Sequence, residues 1–249
     1  MILLFLPLLF GLALSRSVQY PIKFTYVNRI DKWWPPAEVL SGLGVPGYAK
    51  KTSYNYFAFA FWTSNNGPFD IAKIWMDPLT YLSAETEFGT SNDDIRNNIL
   101  RKYHANGIKV LVAAFGDSNY PTTEKKDPVS CATEIASYVK DTNLDGVDVN
   151  WEDTHAFVAG TGERWLIQFT QKLRSLLPSH IISHAPQAPY FDERRYRNGG
   201  YMTVHKEVGN LIDFYNVQFY NQMSYRYDTY EKLFLRSNPP HEGKGTAVK

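Results

Sequence analysis

Cysteine is almost missing from this sequence. The 249-residue chain has one, Cys131, so no internal disulfide can form and the fold must rest on its apolar core. Excess charge is missing as well: 26 Lys plus Arg stand against 25 Asp plus Glu, a formal net charge of +1. A nucleic-acid or polyanion partner calls for a basic surplus or stripe, so none is expected. No Asn-x-Ser/Thr sequon occurs. No apolar run reaches the ~20 residues of a membrane span, and a soluble monomer is expected. A G-x-S-x-G elbow is absent, and no Gly-rich phosphate loop follows the first apolar run, which argues against serine-nucleophile and nucleotide chemistry. No cofactor is expected.

What the chain does have begins with an apolar stretch over residues 1–14, too short to span a bilayer. Ala13 and Ser15 supply small residues, so a secretory leader cut after Ser15 is expected, leaving one domain over 16–249 and an extracellular protein. Aromatic residues make up 15% of the chain, including 17 Tyr and 6 Trp, enough for a large core or for stacking on sugar faces.

Apolar runs at 22–27, 54–62, 108–115, 144–151, 181–185 and 214–220 read as strands, rich in Val, Ile, Phe and Tyr. Helical patterns lie between them. Segment 92–105 puts Ile95, Ile99 and Tyr103 on one face and stops at Asn106-Gly107. Asp127-Pro128 opens a helix running to about Lys140. Thr161 caps another, with a stripe of Trp165, Leu166, Phe169, Leu173 and Leu176. Near-continuous apolar strands alternating with helices predict a parallel sheet covered by helices. The spacing suits the βα units of an eight-fold barrel, with a doubly wound sheet as the rival. Only six units are countable before a Pro-containing tail, so an incomplete α/β (β/α)8 barrel is expected.

The segment Asp145-Gly146-Val147-Asp148-Val149-Asn150-Trp151-Glu152 carries the chemistry. Alternation puts Asp148, Asn150 and Glu152 on one strand face and Val147, Val149 and Trp151 on the other. Inside a barrel, such a polar row is costly unless its members bond to one another or to a ligand. Glu152 ends the strand, at the C-terminal mouth where barrel active sites lie.

This segment resembles the DGxDxDxE signature of glycoside hydrolase family 18, with Asp145 and Gly146 opening the motif. It falls on the fourth strand, as in that family of barrel enzymes. Tyr215-Asn216-Val217-Gln218-Phe219-Tyr220-Asn221 is similar to the sixth-strand QxYN motif of the plant-type and fungal members. The resemblance implies hydrolysis of β-1,4-linked N-acetylglucosamine in chitin or related glycans, by a retaining mechanism in which the substrate's acetamido oxygen is the nucleophile. Carried over, Glu152 is the acid and then the base. Tyr220 donates to the acetamido oxygen, Gln218 and Asn221 contact the sugar, and Asp148 supports position 150 from below. Position 150 departs from the pattern: most of the family has Asp, and Asn brings no charge to the cationic intermediate. Two alternatives therefore stand beside the chitinase reading: an endo-β-N-acetylglucosaminidase acting on N-glycans, and a catalytically impaired chitin-binding relative.

At the same mouth, Trp62 ends the second strand and is a candidate for substrate binding or for plain packing, and Asp117 follows the third as a candidate for a minor polar role toward substrate. Trp33-Trp34 after the first strand is a further groove candidate. His180 and His184 share a strand face without an acidic or third ligand nearby, so no metal site is expected.

Overall fold

The computed structural model describes residues 18–27, 54–81, 88–192, 195–221 and 229. The expected leader, Trp33-Trp34 and nearly all of the tail lie outside them. Six parallel strands make one sheet: β1 (Phe24–Val27), β2 (Tyr56–Thr63), β3 (Lys109–Gly116), β4 (Gly146–Trp151), β5 (Ile181–His184) and β6 (Phe214–Tyr215). A two-residue ribbon, Gly67–Pro68, folds back antiparallel on the end of β2.

The six strands neighbour one another in chain order. A doubly wound sheet must reverse its order at a switch point, so that rival is excluded. The sheet also curls. Strands in a flat sheet lie ~4.8 Å apart, which would set β1 and β4 roughly 14 Å from each other. Here the Tyr26 hydroxyl on β1 donates to Asp148 Oδ2 on β4 at 2.7 Å. The Phe24 and Phe214 rings, from β1 and β6, are 6.2 Å apart. The architecture is an incomplete (β/α) barrel.

Seven helices occur among the described residues: α1 (Asp70–Met76), α2 (Pro78–Tyr81), α3 (Asn92–Ala105), α4 (Pro128–Asp141), α5 (Thr154–Ala159), α6 (Gly162–Leu176) and α7 (Gly200–Val208). The three expected helices are α3, α4 and α6. Ser91 caps α3 by accepting from the Asp94 N–H at 3.1 Å, and Asp127 caps α4 by accepting from the Ser130 N–H at 2.7 Å. Thr161 stands at the start of α6 but does not cap it; its hydroxyl donates back to the Ala156 carbonyl at 3.3 Å.

Most of the core lies between sheet and helices. Phe57, Phe59, Val110, Val112, Val147, Val149 and Ile182 face outward and pack with Trp75, Ile99, Ile135, Leu166 and Phe169. Inside the barrel, Tyr56, Leu111, Ile181 and Phe214 form an apolar layer. Beside it, Ala58, Ala60 and Ala113 pack against Phe24 and Tyr26. These small side chains let Tyr26 reach across to β4.

Two departures from simple alternation bear on the mouth. The β2–β3 register shifts between Ala60 and Trp62, and Phe115 has a φ of 78°. The sixth strand is also shorter than the sequence suggests. It ends at Tyr215, and pairing resumes only as a single parallel bridge between Gln187 and Gln218.

Candidate active site

The site is built on β4. Asp145, at its start, is scaffold. It accepts from His104 Nε2 at 2.8 Å, Lys109 Nζ at 3.1 Å and the Val110 N–H at 2.8 Å, tying β4 to β3 and α3. Burial pushes its pKa up, but the His104 and Val110 hydrogen bonds and the His104 and Lys109 charges outweigh this and hold it below the usual range. Gly146 is fixed by close approach: a Cβ there would lie 1.9 Å from the Ile181 carbonyl oxygen. The first two positions of the motif therefore hold strands together.

Asp148 points into the barrel and is fully buried. It accepts from Tyr26 on β1 at 2.7 Å, from the Ser183 hydroxyl on β5 at 2.5 Å, and from Asn216 Nδ2 just beyond β6 at 2.8 Å. Burial drives its pKa up, and these three donors oppose the rise without cancelling it. Its partners are on β1, on the neighbouring β5 and just beyond β6, and none of them is Asn150.

Asn150 is buried one pleat higher. Its Oδ1 accepts from Gln218 Nε2 at 2.7 Å, and the same amide nitrogen donates to the Ala185 carbonyl at 2.8 Å. Glu152 follows the last residue of β4 and is half-buried. Its Oε2 accepts from Gln187 Nε2 at 3.1 Å. Burial raises the Glu152 pKa; hydrogen bonds from Gln187, Gln218 and Asn150 pull the other way, and the Asp117 carboxylate adds to the rise.

Asp153 locks the turn that ends the row. Its Oδ1 accepts from the Ala156 N–H at 3.3 Å, capping α5, and its two oxygens accept from the Thr123 N–H at 2.6 Å and the Thr123 hydroxyl at 2.5 Å. Behind the row, Trp151 packs outward on Phe157, with ring centroids 4.7 Å apart.

The remaining expected residues divide. Gln218 is buried in the cluster. Tyr220 is 58% exposed. Its pKa is raised first by partial burial and then by the charges of Glu152 and Asp148, so its hydroxyl lies within their field. Asn221 is exposed, with a left-handed φ of 59°. Asp117 is exposed and acts on Glu152 through its charge. Of the two roles open to Trp62, the structure favours packing. The register shift after Ala60 swings it out of the barrel into the core, 2% exposed, with its ring centroid 6.1 Å from that of Phe115. It lines no groove.

His184 faces the helices, where Nδ1 pairs with the Tyr201 hydroxyl at 3.0 Å and burial pushes its pKa down to about 3. Among the described residues no cluster of three or more His, Cys, Asp or Glu could hold a metal ion.

Sequence reasoning missed Tyr26, Ser183, Asn216 and Gln187. Alternation along β1 and β5 could have placed Tyr26 and Ser183 inside the barrel. Nothing local marks Gln187, which enters the site through the Gln187–Gln218 bridge.

The comparisons with known proteins agree with this geometry. The sequence model of glycosyl hydrolases family 18 matches residues 37–239. A GH18 chitinase from Pseudoalteromonas aurantia is 30% identical, with a TM-score of 0.57, covering 80% of this chain and 68% of that one. A family GH18 chitinase from Chromobacterium violaceum is 18% identical, with a TM-score of 0.54, covering 83% of this chain and 51% of that one. A chitinase from Bacteroides thetaiotaomicron is 15% identical, with a TM-score of 0.52, covering 82% of this chain and 55% of that one. The last two bear on the fold alone, and the chain spans little more than half of each. A comparison with curated protein sequences finds no match. The match of the family sequence model over most of the chain, with the acidic row on the fourth strand of a parallel barrel, shows that the chain belongs to glycosyl hydrolases family 18.

Proposed function

We propose that this chain hydrolyses β-1,4-linked N-acetylglucosamine, in chitin or its oligomers, with Glu152 as the acid and base. One observation carries the reading: a carboxyl at the C-terminal end of β4, half-buried and with a raised pKa, stands above two buried polar side chains in the barrel. A raised pKa keeps the carboxyl protonated closer to neutral pH, as a general acid requires.

In the proposed reaction Glu152 gives its proton to the departing glycosidic oxygen while the substrate's acetamido oxygen attacks the anomeric carbon. The resulting carboxylate then takes a proton from the water that opens the cyclic intermediate. Asn150 Oδ1 has one lone pair engaged by Gln218 and a second for the acetamido N–H. Tyr220 is proposed to donate to the acetamido oxygen once sugar covers it. Chitin is extracellular, which suits secretion through the apolar leader. No helix among the described residues is long and apolar enough to cross a membrane.

The neutral Asn150 supports a second reading, binding without turnover, because an amide does not offset the charge of an oxazolinium ion; N-glycan cleavage is the other alternative to chitin. The test is incubation of the full chain with chitin oligomers and, separately, with a high-mannose glycoprotein. Release of short N-acetylglucosamine oligomers supports the first reading. Glycan release from the glycoprotein alone, or binding without cleavage, replaces it.

A further inference from the structure

We propose that Gln187 is a positioning residue for Glu152: its side-chain amide holds Oε2 as an acceptor and leaves Oε1 as the oxygen that carries and delivers the proton. The inference rests on the reading of Glu152 as the acid. It starts from the contact itself, Gln187 Nε2 donating to Glu152 Oε2 at 3.1 Å. An oxygen that accepts an N–H is the poorer place for the acidic proton, since its lone pair is already engaged. The carboxyl thereby acquires a preferred orientation before substrate arrives, and Oε1 is left for the glycosidic oxygen.

The backbone around Gln187 is held firmly enough for this task. Gln187 and Gln218 form a parallel bridge, flanked by the Gln218 N–H to the Pro186 carbonyl and the Ala188 N–H to the Gln218 carbonyl, both at 2.9 Å. The Gln187 carbonyl accepts from the Tyr190 N–H at 2.9 Å, opening the 3-10 turn Ala188–Phe191. Tyr190 returns to the strand that carries Glu152: its ring lies 6.1 Å from that of Trp151, and its hydroxyl bonds to Thr154 Oγ1 at 2.6 Å. The segment that presents the amide is thus pinned on both sides of Glu152, at 151 and at 154. Gln218 and Asn150 also hydrogen-bond to Glu152, but the Gln218 Nε2 is shared with Asn150 and the Ala185 carbonyl. Of the three amides, Gln187 opposes the rise in the Glu152 pKa most strongly, so its removal should release the carboxyl furthest.

Two substitutions separate this role from simple packing. Gln187→Met keeps the length and removes the donor. Gln187→Glu keeps the size and replaces the donor with a carboxylate. The measurement is the titration of the Glu152 carboxyl in the full chain, followed by carbon NMR of labelled glutamate and assigned by its disappearance in Glu152→Gln. A hydrogen bond to the charged form lowers a carboxyl pKa, so its loss raises it. Gln187→Met should move the titration up by about half to one pH unit, and Gln187→Glu further still. On a chitin oligomer, Gln187→Met should lower kcat about three- to tenfold, leave KM within about twofold, and move the alkaline limb of the rate profile up with the titration.

A Glu152 titration that stays at the wild-type value in both variants overturns the assignment, whatever Glu152 does. A loss confined to KM does so too. Wild-type turnover by Glu152→Gln instead overturns the reading of Glu152 as the acid, and with it the catalytic use of this contact, even where the titration moves.

Discussion

Asp148→Ala would leave three donors without their acceptor inside the barrel: the Tyr26 hydroxyl, the Ser183 hydroxyl and the Asn216 amide. Leaving a buried polar group unmatched costs about 1–3 kcal/mol, so the loss is on the order of 3–6 kcal/mol after some relaxation and water entry. That is a large share of the 5–15 kcal/mol typical of a folded domain. Asp148→Asn is gentler. Its oxygen can serve Ser183 and Asn216 on the Oδ1 side, and its amide can face a Tyr26 hydroxyl that turns to accept, at a cost of about 1 kcal/mol. The two variants also differ in pH dependence. Asp148 has a folded pKa raised above its ordinary 3.8 by burial. Its contribution to stability is therefore fully present below that value and lost as pH rises through the raised one. Asn cannot titrate, so the gap between wild type and Asp148→Asn should be widest near pH 4 and narrow toward neutrality. Urea unfolding followed by Trp fluorescence across this range reads both effects. A gap that widens with pH would mean that the three donors outweigh burial. An Asp148→Ala loss no larger than that of Asp148→Asn would refute the hydrogen-bond argument itself.

Further outcomes follow from the same strand. Gly146→Ala forces a Cβ to within 1.9 Å of the Ile181 carbonyl oxygen; separating β4 from β5 should cost about 3 kcal/mol or more, read as a fall in Tm or in soluble yield, and a wild-type Tm would contradict the packing. Asn150→Asp keeps the acceptor for Gln218 Nε2 at 2.7 Å and adds a charge beside the proposed cationic intermediate. Chitin-oligomer turnover should rise by at least about tenfold. Unchanged or lower turnover would show that position 150 is adapted to its amide and would move the second reading ahead.

Much of the scaffold was legible because its causes are local. The alternation of Asp148, Asn150 and Glu152 against Val147, Val149 and Trp151 needs only the pleat, and the structure keeps it. Helix α3 announces itself by its apolar face and its Asn106-Gly107 stop, and α4 by Asp127-Pro128 at its start. What failed depends on tertiary geometry. Trp62 reads as a mouth residue until the register shift after Ala60 turns it outward, and periodicity carries no sign of such a shift. The sixth strand is read too long, since β6 stops at Tyr215 and Gln218 is held by a single bridge beyond it. The short helices α1, α5 and α7 offer too few turns for a periodic stripe to stand out, though Asp153 does cap α5. Gln187 reaches Glu152 only because the ends of β4 and β5 converge, which no spacing within either segment encodes.

The central claim is that Glu152 supplies the proton, and Glu152→Gln tests it most directly. The amide keeps the shape and an oxygen for Gln187 Nε2 but has no acidic proton to give. The measurement is the rate of chitin-oligomer cleavage beside oligomer affinity, on wild type and variant prepared identically. Turnover should fall by about a thousandfold or more, with affinity kept within a few-fold. A variant that cleaves at a rate near wild type would contradict the account and remove Glu152 from the role of acid.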